Sequence, residues 1–207
     1  MRSLRRPQPD PRVVYQVASC CLDYPTAELL ERLPLFTSAL AEQRDAPEVA
    51  WLDGLVGHLG STPLDRLQRA YVDQFDLSRK HALYLSYWTD GDTRRRGEVL
   101  GRFKSAYRAS GFLVDTHGEL PDYLPMVLEF AAIADPEAGE ALLREYRPSL
   151  ELLRIGLVED ETPYAAVVTA VCATLPGASP ADRAAVQAMV GGPPTETVGL
   201  EPIGGYR

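Results

Sequence analysis

The sequence contains few of the residues that build metal sites, disulfide frameworks or membrane spans. Its 207 residues include three cysteines and three histidines, with no CxxC, HxxxH or HExxH spacing. The odd, scattered cysteines predict reduced thiols, as in cytosolic proteins, and the histidine spacing does not favour a zinc site. No apolar run approaches the length of a membrane span, and Arg5-Arg6 is not followed by the apolar stretch of an export signal. These absences predict a soluble cytoplasmic protein.

Motifs for nucleotide binding and hydrolysis are also missing. The chain has no GxxxxGK[ST], GxGxxG or GxSxG, so neither a phosphate loop nor a nucleophile elbow is predicted. The net charge of −8 disfavours nucleic acid as a ligand, because phosphate binding requires clustered Lys and Arg. Residues 78–108 nevertheless hold eight basic and three acidic side chains, whereas residues 115–161 hold twelve acidic side chains and three arginines. This asymmetry fits either solvated faces or a field that attracts a basic partner to the second half.

Helix-start signals recur along the chain. A capping residue is followed at once by proline in four places, at Thr62-Pro63, Asp135-Pro136, Thr162-Pro163 and Ser179-Pro180. Alternating apolar strands and Asn-Gly hairpins are missing from the sequence. The pattern predicts an all-α, single-domain bundle of about nine or ten helices over residues 11–190. We expect residues 1–10 and the Gly/Pro-rich residues 191–207 to be disordered.

Three local expectations follow from the same rules. Pro34 should kink or break the helix that Thr26 begins. Residues 81–88, HALYLSYW, are predicted to be helical, because no other segment reads as a strand that could pair with them. A long helix is predicted from Thr93 to Ser110, capped by Asp92 and ended by a glycine.

The stretch from Glu119 to Ala132, ELPDYLPMVLEFAA, contains the strongest local signal. Asp122 is predicted to cap the helix that follows it, with Pro125 at the third helical position, where a missing amide hydrogen costs nothing. The spacing of its apolar residues predicts one buried face, formed by Leu124, Val127, Leu128 and Ala131. The result would be a stiff corner with an exposed acidic cap beside an apolar groove. Such a corner is either a well-capped core helix and nothing more, or a place that holds a ligand.

Aromatic residues gather near polar turns. Most of them are expected in the core; the set is Tyr71, Phe75, Tyr84, Tyr87, Trp88, Phe103, Tyr107, Phe112 and Tyr123. Tyr87-Trp88 directly precede an Asp-Gly-Asp turn, where large rings are difficult to bury but suit the wall of a peptide groove. The run Arg94, Arg95 and Arg96 follows. Three cations at a helix N-terminus oppose the helix dipole, which favours a functional contact over a stabilising one.

Several of these segments together resemble a known family. The resemblance rests on VASCCLDYP at 17–25, on GDTRRRG at 91–97 and its flanks, and on ELPDYLPMVLEF at 119–130. They are similar to the nitrate reductase molybdenum cofactor assembly chaperones, the NarJ or delta-subunit proteins of the TorD-like redox-enzyme maturation group. That family commonly has histidine after the corner aspartate, where this chain has Tyr123.

The resemblance implies an all-helical, TorD-like cytoplasmic chaperone without enzymatic activity. It implies a partner, the apo catalytic (alpha) subunit of nitrate reductase or its alpha–beta complex, bound through the N-terminal segment. It also implies that the chain assists insertion of a molybdenum cofactor of the bis-guanine dinucleotide type, without binding a cofactor stably itself. The partner-peptide site carried over comprises Tyr71, Phe75, Tyr87, Trp88, Leu120, Asp122, Tyr123 and Glu129, with Arg94, Arg95 and Arg96 as a basic contact.

Two other interpretations stay open at this point. The chain could serve another molybdoenzyme of the dimethyl sulfoxide or trimethylamine N-oxide reductase type, although GDTRRRG favours the nitrate reductase branch. Alternatively, Glu119, Asp122 and His117 could form the acidic pocket of a small enzyme, a hypothesis that lacks any recognisable catalytic spacing.

Overall fold

The computed structural model describes residues 10–43, 46–90, 96–116 and 118–189, and its regular elements there are helical. No helix in these ranges is both long and apolar enough to cross a bilayer. Of the ends predicted to be disordered, 1–10 and 191–207, all but residue 10 lie outside the described residues. The described α-helices are α1 (Pro11–Leu22), α2 (Ala27–Glu42), α3 (Pro47–Ser61), α4 (Leu64–Tyr71), α5 (Leu85–Asp90), α6 (Arg96–Ala109), α7 (Leu124–Glu129), α8 (Pro136–Glu145), α9 (Arg147–Glu159), α10 (Ala165–Thr174) and α11 (Arg183–Met189).

Helices α1 and α10 occupy the centre of the bundle. Helix α1 contacts α2, α3, α7 and α10, and α10 is packed between α3 and α9. Helix α10 can lie there because its own residues are mostly apolar, and Val167, Val168, Val171 and Cys172 are fully buried. A hydrogen bond of 2.9 Å between the hydroxyls of Tyr15 and Thr174 joins α1 to the end of α10. The two ends of the described chain therefore meet in one core.

Two predicted caps, Thr26 and Asp135, form as expected, and Asp10, which lies in the stretch predicted to be disordered, caps α1. The side chains of Asp10, Thr26 and Asp135 each accept a hydrogen bond from a backbone amide in the first turn of α1, α2 and α8 respectively. A proline follows two of these caps directly, at Pro11 and Pro136, so its missing amide hydrogen falls where no intrahelical partner exists. Of the four predicted cap–proline pairs, the pair at Asp135 is confirmed.

The other three pairs do not cap a helix as predicted. The Thr62 hydroxyl donates to the carbonyl of His58 and so belongs to the end of α3. The Thr162 hydroxyl accepts a hydrogen bond from the amide of Tyr164, but α10 begins only at Ala165, so this bond does not cap the helix. At α11 the acceptor is Asp182, and not Ser179. In these cases the proline lies in the linker, where its fixed φ angle guides the chain into the helix without starting it.

Of the two outcomes predicted for Pro34, a kink or a break in the second helix, the break is wrong. Helix α2 runs through Pro34 for 16 residues. Pro34 is exposed, and it deprives only the carbonyl of Leu30 of its amide partner on a face that water can reach. The buried face of α2, formed by Leu29, Leu33, Phe36 and Leu40, holds the helix together across this gap.

The prediction that residues 81–88 form one helix is wrong in its first half. Arg79–His81 is a 3₁₀ turn, Tyr84 forms an antiparallel bridge with Tyr123, and α5 begins at Leu85. The bridge partner lies 39 positions along the chain in a segment that reads as a turn, so periodicity could not reveal it.

The described part of the predicted long helix agrees with the expectation. Helix α6 buries Val99, Phe103 and Tyr107, and Gly111 follows with a φ of 77°. Only glycine adopts that angle readily, which ends the helix there. The predicted start at Thr93 and the cap Asp92 lie outside the described residues, as do the turn at Gly91 and the first two arginines of the basic run.

Two α-helices continue into π-helical turns. Helix α4 continues as Val72–Asp76, and α7 continues as Phe130–Ala134. The second of these turns packs closely on α8 at Gly139. A Cβ atom added there would lie 2.3 Å from the Cα atom of Ala131, so no larger residue fits without moving one of the two elements.

Candidate functional site: an aromatic cavity

A cavity of about 610 Å³ opens between the first π-helical turn, the segment that leads into α5, and the corner before α7. We call it the aromatic cavity, because six of its lining residues are aromatic. Its lining residues are Tyr71, Phe75, Asp76, Ser78, Arg79, Ala82, Leu83, Tyr84, Tyr87, Trp88, Glu119 and Tyr123.

The base of the aromatic cavity is a set of packed rings. The Tyr71 ring lies 4.8 Å from Phe75, and Phe75 lies 4.9 Å from Tyr164, both measured between ring centroids. The Tyr71 hydroxyl donates to the carbonyl of Leu22 at 2.9 Å and lies 3.3 Å from the hydroxyl of Tyr123. The π-helical turn inserts Phe75 into this cluster, and such turns are frequent at functional sites. The base is therefore fixed by packing and by hydrogen bonds.

One wall of the aromatic cavity is formed by the bridge between Tyr84 and Tyr123. The amide of Leu85 donates to the carbonyl of Asp122 at 3.0 Å, and the amide of Leu124 donates to the carbonyl of Leu83 at 2.7 Å. These two bonds place the rings of Tyr84 and Tyr123 side by side, with centroids 5.5 Å apart. The wall thus joins two segments that are distant in sequence.

The opposite wall is formed by Tyr87 and Trp88. Both side chains are half-buried, and their rings meet edge to face at 5.8 Å. The Trp88 indole donates its N–H to the carbonyl of Ala82 at 3.0 Å, which fixes the ring without covering it. The half-buried Trp88 ring lines the cavity, where it can contact an apolar side chain.

Asp122 does not have the predicted position. It is fully buried, and its Oδ2 accepts hydrogen bonds from the Ser86 amide at 3.0 Å and the Ser86 hydroxyl at 2.6 Å. The position before α7 belongs to Tyr123, which makes no side-chain cap, and Pro125 is the second helical residue. The prediction of an exposed acidic cap on α7 is wrong; the predicted ligand contact at Asp122 remains a prediction, which this burial disfavours. Because the corner turns inward, its carboxylate instead binds the first turn of α5.

The remaining predicted residues are divided between this cavity and other places. Tyr71, Phe75, Tyr87, Trp88 and Tyr123 are brought together around it, whereas the exposed residues Leu120 and Glu129 do not line it. Arg94 and Arg95 lie outside the described residues, and Arg96 is the first residue of α6.

Seven cavity residues were not in the predicted peptide site: Asp76, Ser78, Arg79, Ala82, Leu83, Tyr84 and Glu119. Tyr84 belonged to the aromatic set but was not selected, because the bridge that orients it cannot be read from periodicity. Asp76 and Arg79 had no sequence signal, since their orientation depends on the π-helical turn and the 3₁₀ turn that follows it.

The tyrosines of the cavity are held in the neutral form. Burial raises the pKa of Tyr71, Tyr123 and Tyr84 above the ordinary phenol value. The pKa of Tyr84 is raised further because its hydroxyl donates to Glu119 Oε2 at 2.5 Å, and ionisation would lose that bond. At neutral pH these hydroxyls are therefore uncharged hydrogen-bonding groups, and the formal charges of the lining are those of Asp76, Arg79 and Glu119.

Among the described residues, the cavity offers apolar surface and hydrogen bonds and brings no acid–base pair together. Asp122 is engaged with Ser86 and Glu119 with Tyr84, while His117 lies outside the described residues. In the part of the chain that the structure covers, no three His, Cys, Asp or Glu side chains cluster as metal ligands would. The hypothesis of an acidic-pocket enzyme gains no support from this arrangement.

Comparison with known proteins gives the family. A family model described as "Nitrate reductase delta subunit" matches residues 38–170. The chain belongs to this family. As a delta-subunit family member it is 33% identical over 166 residues to the probable nitrate reductase molybdenum cofactor assembly chaperone NarJ of Bacillus subtilis (strain 168), covering 80% of this chain and 90% of that protein. The resemblance seen in the sequence is thereby confirmed.

Other relatives of this chain are longer than it is. It is 44% identical over 163 residues to the nitrate reductase-like protein NarX of Mycobacterium tuberculosis (strain ATCC 25618 / H37Rv), covering 78% of this chain but only 24% of that protein. With the NarJ chaperone of Escherichia coli (strain K12) it shares 33% identity over 153 residues, 72% of this chain and 64% of the relative.

The fold also has a solved counterpart. The crystal structure of a putative redox enzyme maturation protein from Archaeoglobus fulgidus superposes with a TM-score of 0.60 at 20% identity, covering 83% of this chain and 97% of that one. The all-α, TorD-like fold predicted from the sequence is confirmed.

Proposed function

We propose that this chain is a cytoplasmic chaperone that binds the N-terminal segment of the apo catalytic subunit of nitrate reductase, alone or in its alpha–beta complex. It would keep that subunit ready for insertion of the molybdenum cofactor and would catalyse no reaction itself. The observation that carries the proposal is the aromatic cavity, a fixed concave surface in a member of the delta-subunit family. The names of the NarJ relatives support the choice of nitrate reductase as the client.

The chemistry of the aromatic cavity suits an amphipathic peptide. Trp88 and Phe75 provide apolar walls for a large side chain, and aromatic anchors of this kind supply most of the affinity at protein interfaces. Glu119 and Asp76 place carboxylates in the lining, which would pair with basic residues of the segment and set its register. The binding mode would be a helix in a groove or an extended peptide.

The lining does not suit the cofactor itself. A bis-guanine dinucleotide cofactor carries several phosphates, and phosphate binding calls for clustered cations or backbone amides at a helix start. Among the described residues, Arg79 is the one cation in the lining, and the carboxylates of Asp76 and Glu119 oppose it. We therefore propose that the chain acts on the recipient subunit, which it holds open, and not as a carrier of the cofactor.

Calorimetry with the N-terminal peptide of the catalytic subunit tests the site. We expect Trp88→Ala to weaken binding by roughly tenfold or more, as for a buried aromatic anchor. The matched control is Trp51→Ala on α3, because Trp51 is the other tryptophan and is exposed. Equal affinity of wild type and Trp88→Ala would remove the aromatic cavity as the site.

Co-purification tests the role in the cell. Apo catalytic subunit isolated with and without this chain should differ in molybdenum and guanine nucleotide content, and the chain should be retained on the apo form. The Trp88→Ala variant should lower both the retention and the cofactor content. A cofactor content that does not depend on the chain would contradict an assembly function.

A further inference from the structure

Two smaller depressions continue from the aromatic cavity along the corner and α7. The first, about 200 Å³, we call the acidic saddle; it shares Glu119 and Tyr123 with the aromatic cavity. The second, about 290 Å³, we call the apolar cleft; it shares Asp115, Met126 and Glu129 with the acidic saddle. Because neighbouring depressions share lining residues, the three form one continuous surface.

The apolar cleft exposes large hydrophobic side chains. It lies between the loop after α6 and the second π-helical turn, and Leu113 is 100%, Ile133 61% and Phe112 55% exposed. Contiguous apolar surface of this kind on a monomer marks an interaction site. Phe130 and Met126, both buried, form its floor.

The acidic saddle gives this surface a single sign of charge. Asp23, Asp115, Glu119 and Glu129 are all exposed, and all four line the saddle. Among the described residues no Lys or Arg lines either the saddle or the apolar cleft. An apolar cleft reached across four carboxylates is complementary to a segment with basic residues before an apolar one.

We propose that the apolar cleft is a second anchor site for the same partner segment, which crosses the acidic saddle with basic residues and inserts a second apolar side chain between Leu113 and Ile133. This proposal rests on the proposed function of the aromatic cavity. The occupant is a basic amphipathic segment of a partner protein, with two apolar anchors.

The register of α7 gives the spacing of the two anchors. Tyr123, in the aromatic cavity, directly precedes α7, and Ile133, in the apolar cleft, lies ten residues later in the π-helical turn that continues α7. At about 1.5 Å per residue this stretch spans about 15 Å. A helical partner would therefore place its two apolar anchors about ten residues apart, with its basic residues between them.

The charge argues against two other occupants. A second copy of the chain, related by a two-fold axis, would bring the same four carboxylates together, and juxtaposed like charges are unfavourable. An anionic membrane surface would be repelled for the same reason.

Calorimetry with two lengths of the catalytic subunit's N-terminal peptide tests the apolar cleft. The long peptide contains both anchors, and the short one ends before the second. We expect Leu113→Ser and Ile133→Ser to weaken binding of the long peptide by roughly fivefold to tenfold and to leave binding of the short peptide unchanged. Glu129→Lys should weaken the long peptide more at low salt than at high salt, because exposed charges are screened. The matched controls on α2 are Leu35→Ser and Glu31→Lys, both at exposed positions.

The outcomes separate this proposal from the proposed function. If Trp88→Ala weakens both peptides while Leu113→Ser weakens neither, the aromatic cavity stands and the second anchor site is overturned. If the cleft variants alone weaken the long peptide, the second anchor site stands without the first. Binding of wild type to anionic vesicles, or dimerisation in ultracentrifugation, would assign the cleft to a lipid surface or a second copy if Leu113→Ser abolished it, and would overturn the proposal.

Discussion

At the scale of single residues, the carboxylate of Asp122 positions the two segments that form the walls of the aromatic cavity. It joins the corner before α7 to the first turn of α5 through two hydrogen bonds to Ser86, in a place without solvent. Tyr107 supports the same corner from α6, because its hydroxyl donates to the carbonyl of Pro121 at 2.6 Å. The residue that looks most like a ligand contact in the sequence is therefore a residue that positions the site.

Replacing Asp122 should make the protein easier to unfold. Hydrogen bonds to a charged group contribute about 1.5–3 kcal/mol, and Asp122→Ala leaves the polar groups of Ser86 buried without partners. We expect the free energy of unfolding in urea to fall by about 2–3 kcal/mol for Asp122→Ala, and by less for Asp122→Asn, which keeps an acceptor oxygen. Asp53→Ala on the exposed face of α3 is the control. A stability equal to wild type would show that the carboxylate does not hold the corner.

The three thiols should differ in their rate of alkylation. Burial raises the pKa of Cys21 to about 12 and raises the pKa of Cys172 as well, so both are protonated and inaccessible at pH 8. Cys20 is half-buried, and we expect iodoacetamide to modify it roughly tenfold or more faster, because the thiolate is the nucleophile. Mass spectrometry of timed samples measures the rates, and Cys20→Ser should remove the fast phase. A fast phase that persists in Cys20→Ser would contradict this assignment.

At the scale of elements, the rules that held are those whose causes lie within one turn of helix. The caps at Thr26 and Asp135, the end of α6 at Gly111 and the buried face of α7 are local effects, and the sequence predicts them. Pro34 and the segment before α5 depend on which face meets solvent and on a partner 39 positions away. Those are tertiary effects, and local propensity yields to them.

Gly139 is a position where α8 closely approaches the second π-helical turn. In Gly139→Ala the new methyl group would lie 2.3 Å from the Cα atom of Ala131, on backbone that cannot rotate away. We expect Gly139→Ala to lower the free energy of unfolding by about 2–3 kcal/mol, as overpacking does. The matched change is Gly101→Ala in α6, where nothing lies within 4 Å and the higher helix propensity of alanine should stabilise by about 0.5–1 kcal/mol. Denaturant unfolding of both variants measures these changes. An unchanged free energy of unfolding in Gly139→Ala would mean that α8 can shift.

At the scale of the whole molecule, the candidate site is assembled from segments that no local rule connects. The π-helical turn supplies Phe75, α5 supplies Trp88, and the corner supplies Tyr123. Sequence reasoning could select these aromatic residues and their family, but it could not decide that Asp122 points inward or that Arg79 lines the cavity. The first fact follows from the bridge between two distant segments and the second from the π-helical and 3₁₀ turns, and only the folded chain contains these features.

The buried tyrosines predict a loss of stability at alkaline pH. Burial raises the pKa of Tyr164 to about 12, above the value of about 10 in an unfolded chain. Below pH 10 the phenol is neutral in both states and its contribution is complete. As the pH rises from 10 to 12, only the unfolded chain releases the proton, so stability falls by up to about 1.4 kcal/mol per pH unit for this group.

A comparison of wild type with Tyr164→Phe isolates that contribution. The Tyr164 hydroxyl has no hydrogen-bond partner among the described residues, so the variant should match wild type within about 1 kcal/mol at pH 8. Above pH 10 wild type should lose stability faster than the variant, as measured by urea unfolding at a series of pH values. Parallel curves would show that Tyr164 ionises equally in the folded and unfolded states.

The central packing of α1 against α10 also has a consequence for synthesis. Tyr15 and Thr174 are 159 positions apart, so the surface of α1 that meets α10 stays uncovered until most of the chain has left the ribosome. Contacts of such long sequence separation form late and slow the folding of a domain. A protein that we propose guards the N-terminal segment of its client thus leaves part of its own first helix unprotected while it is being made.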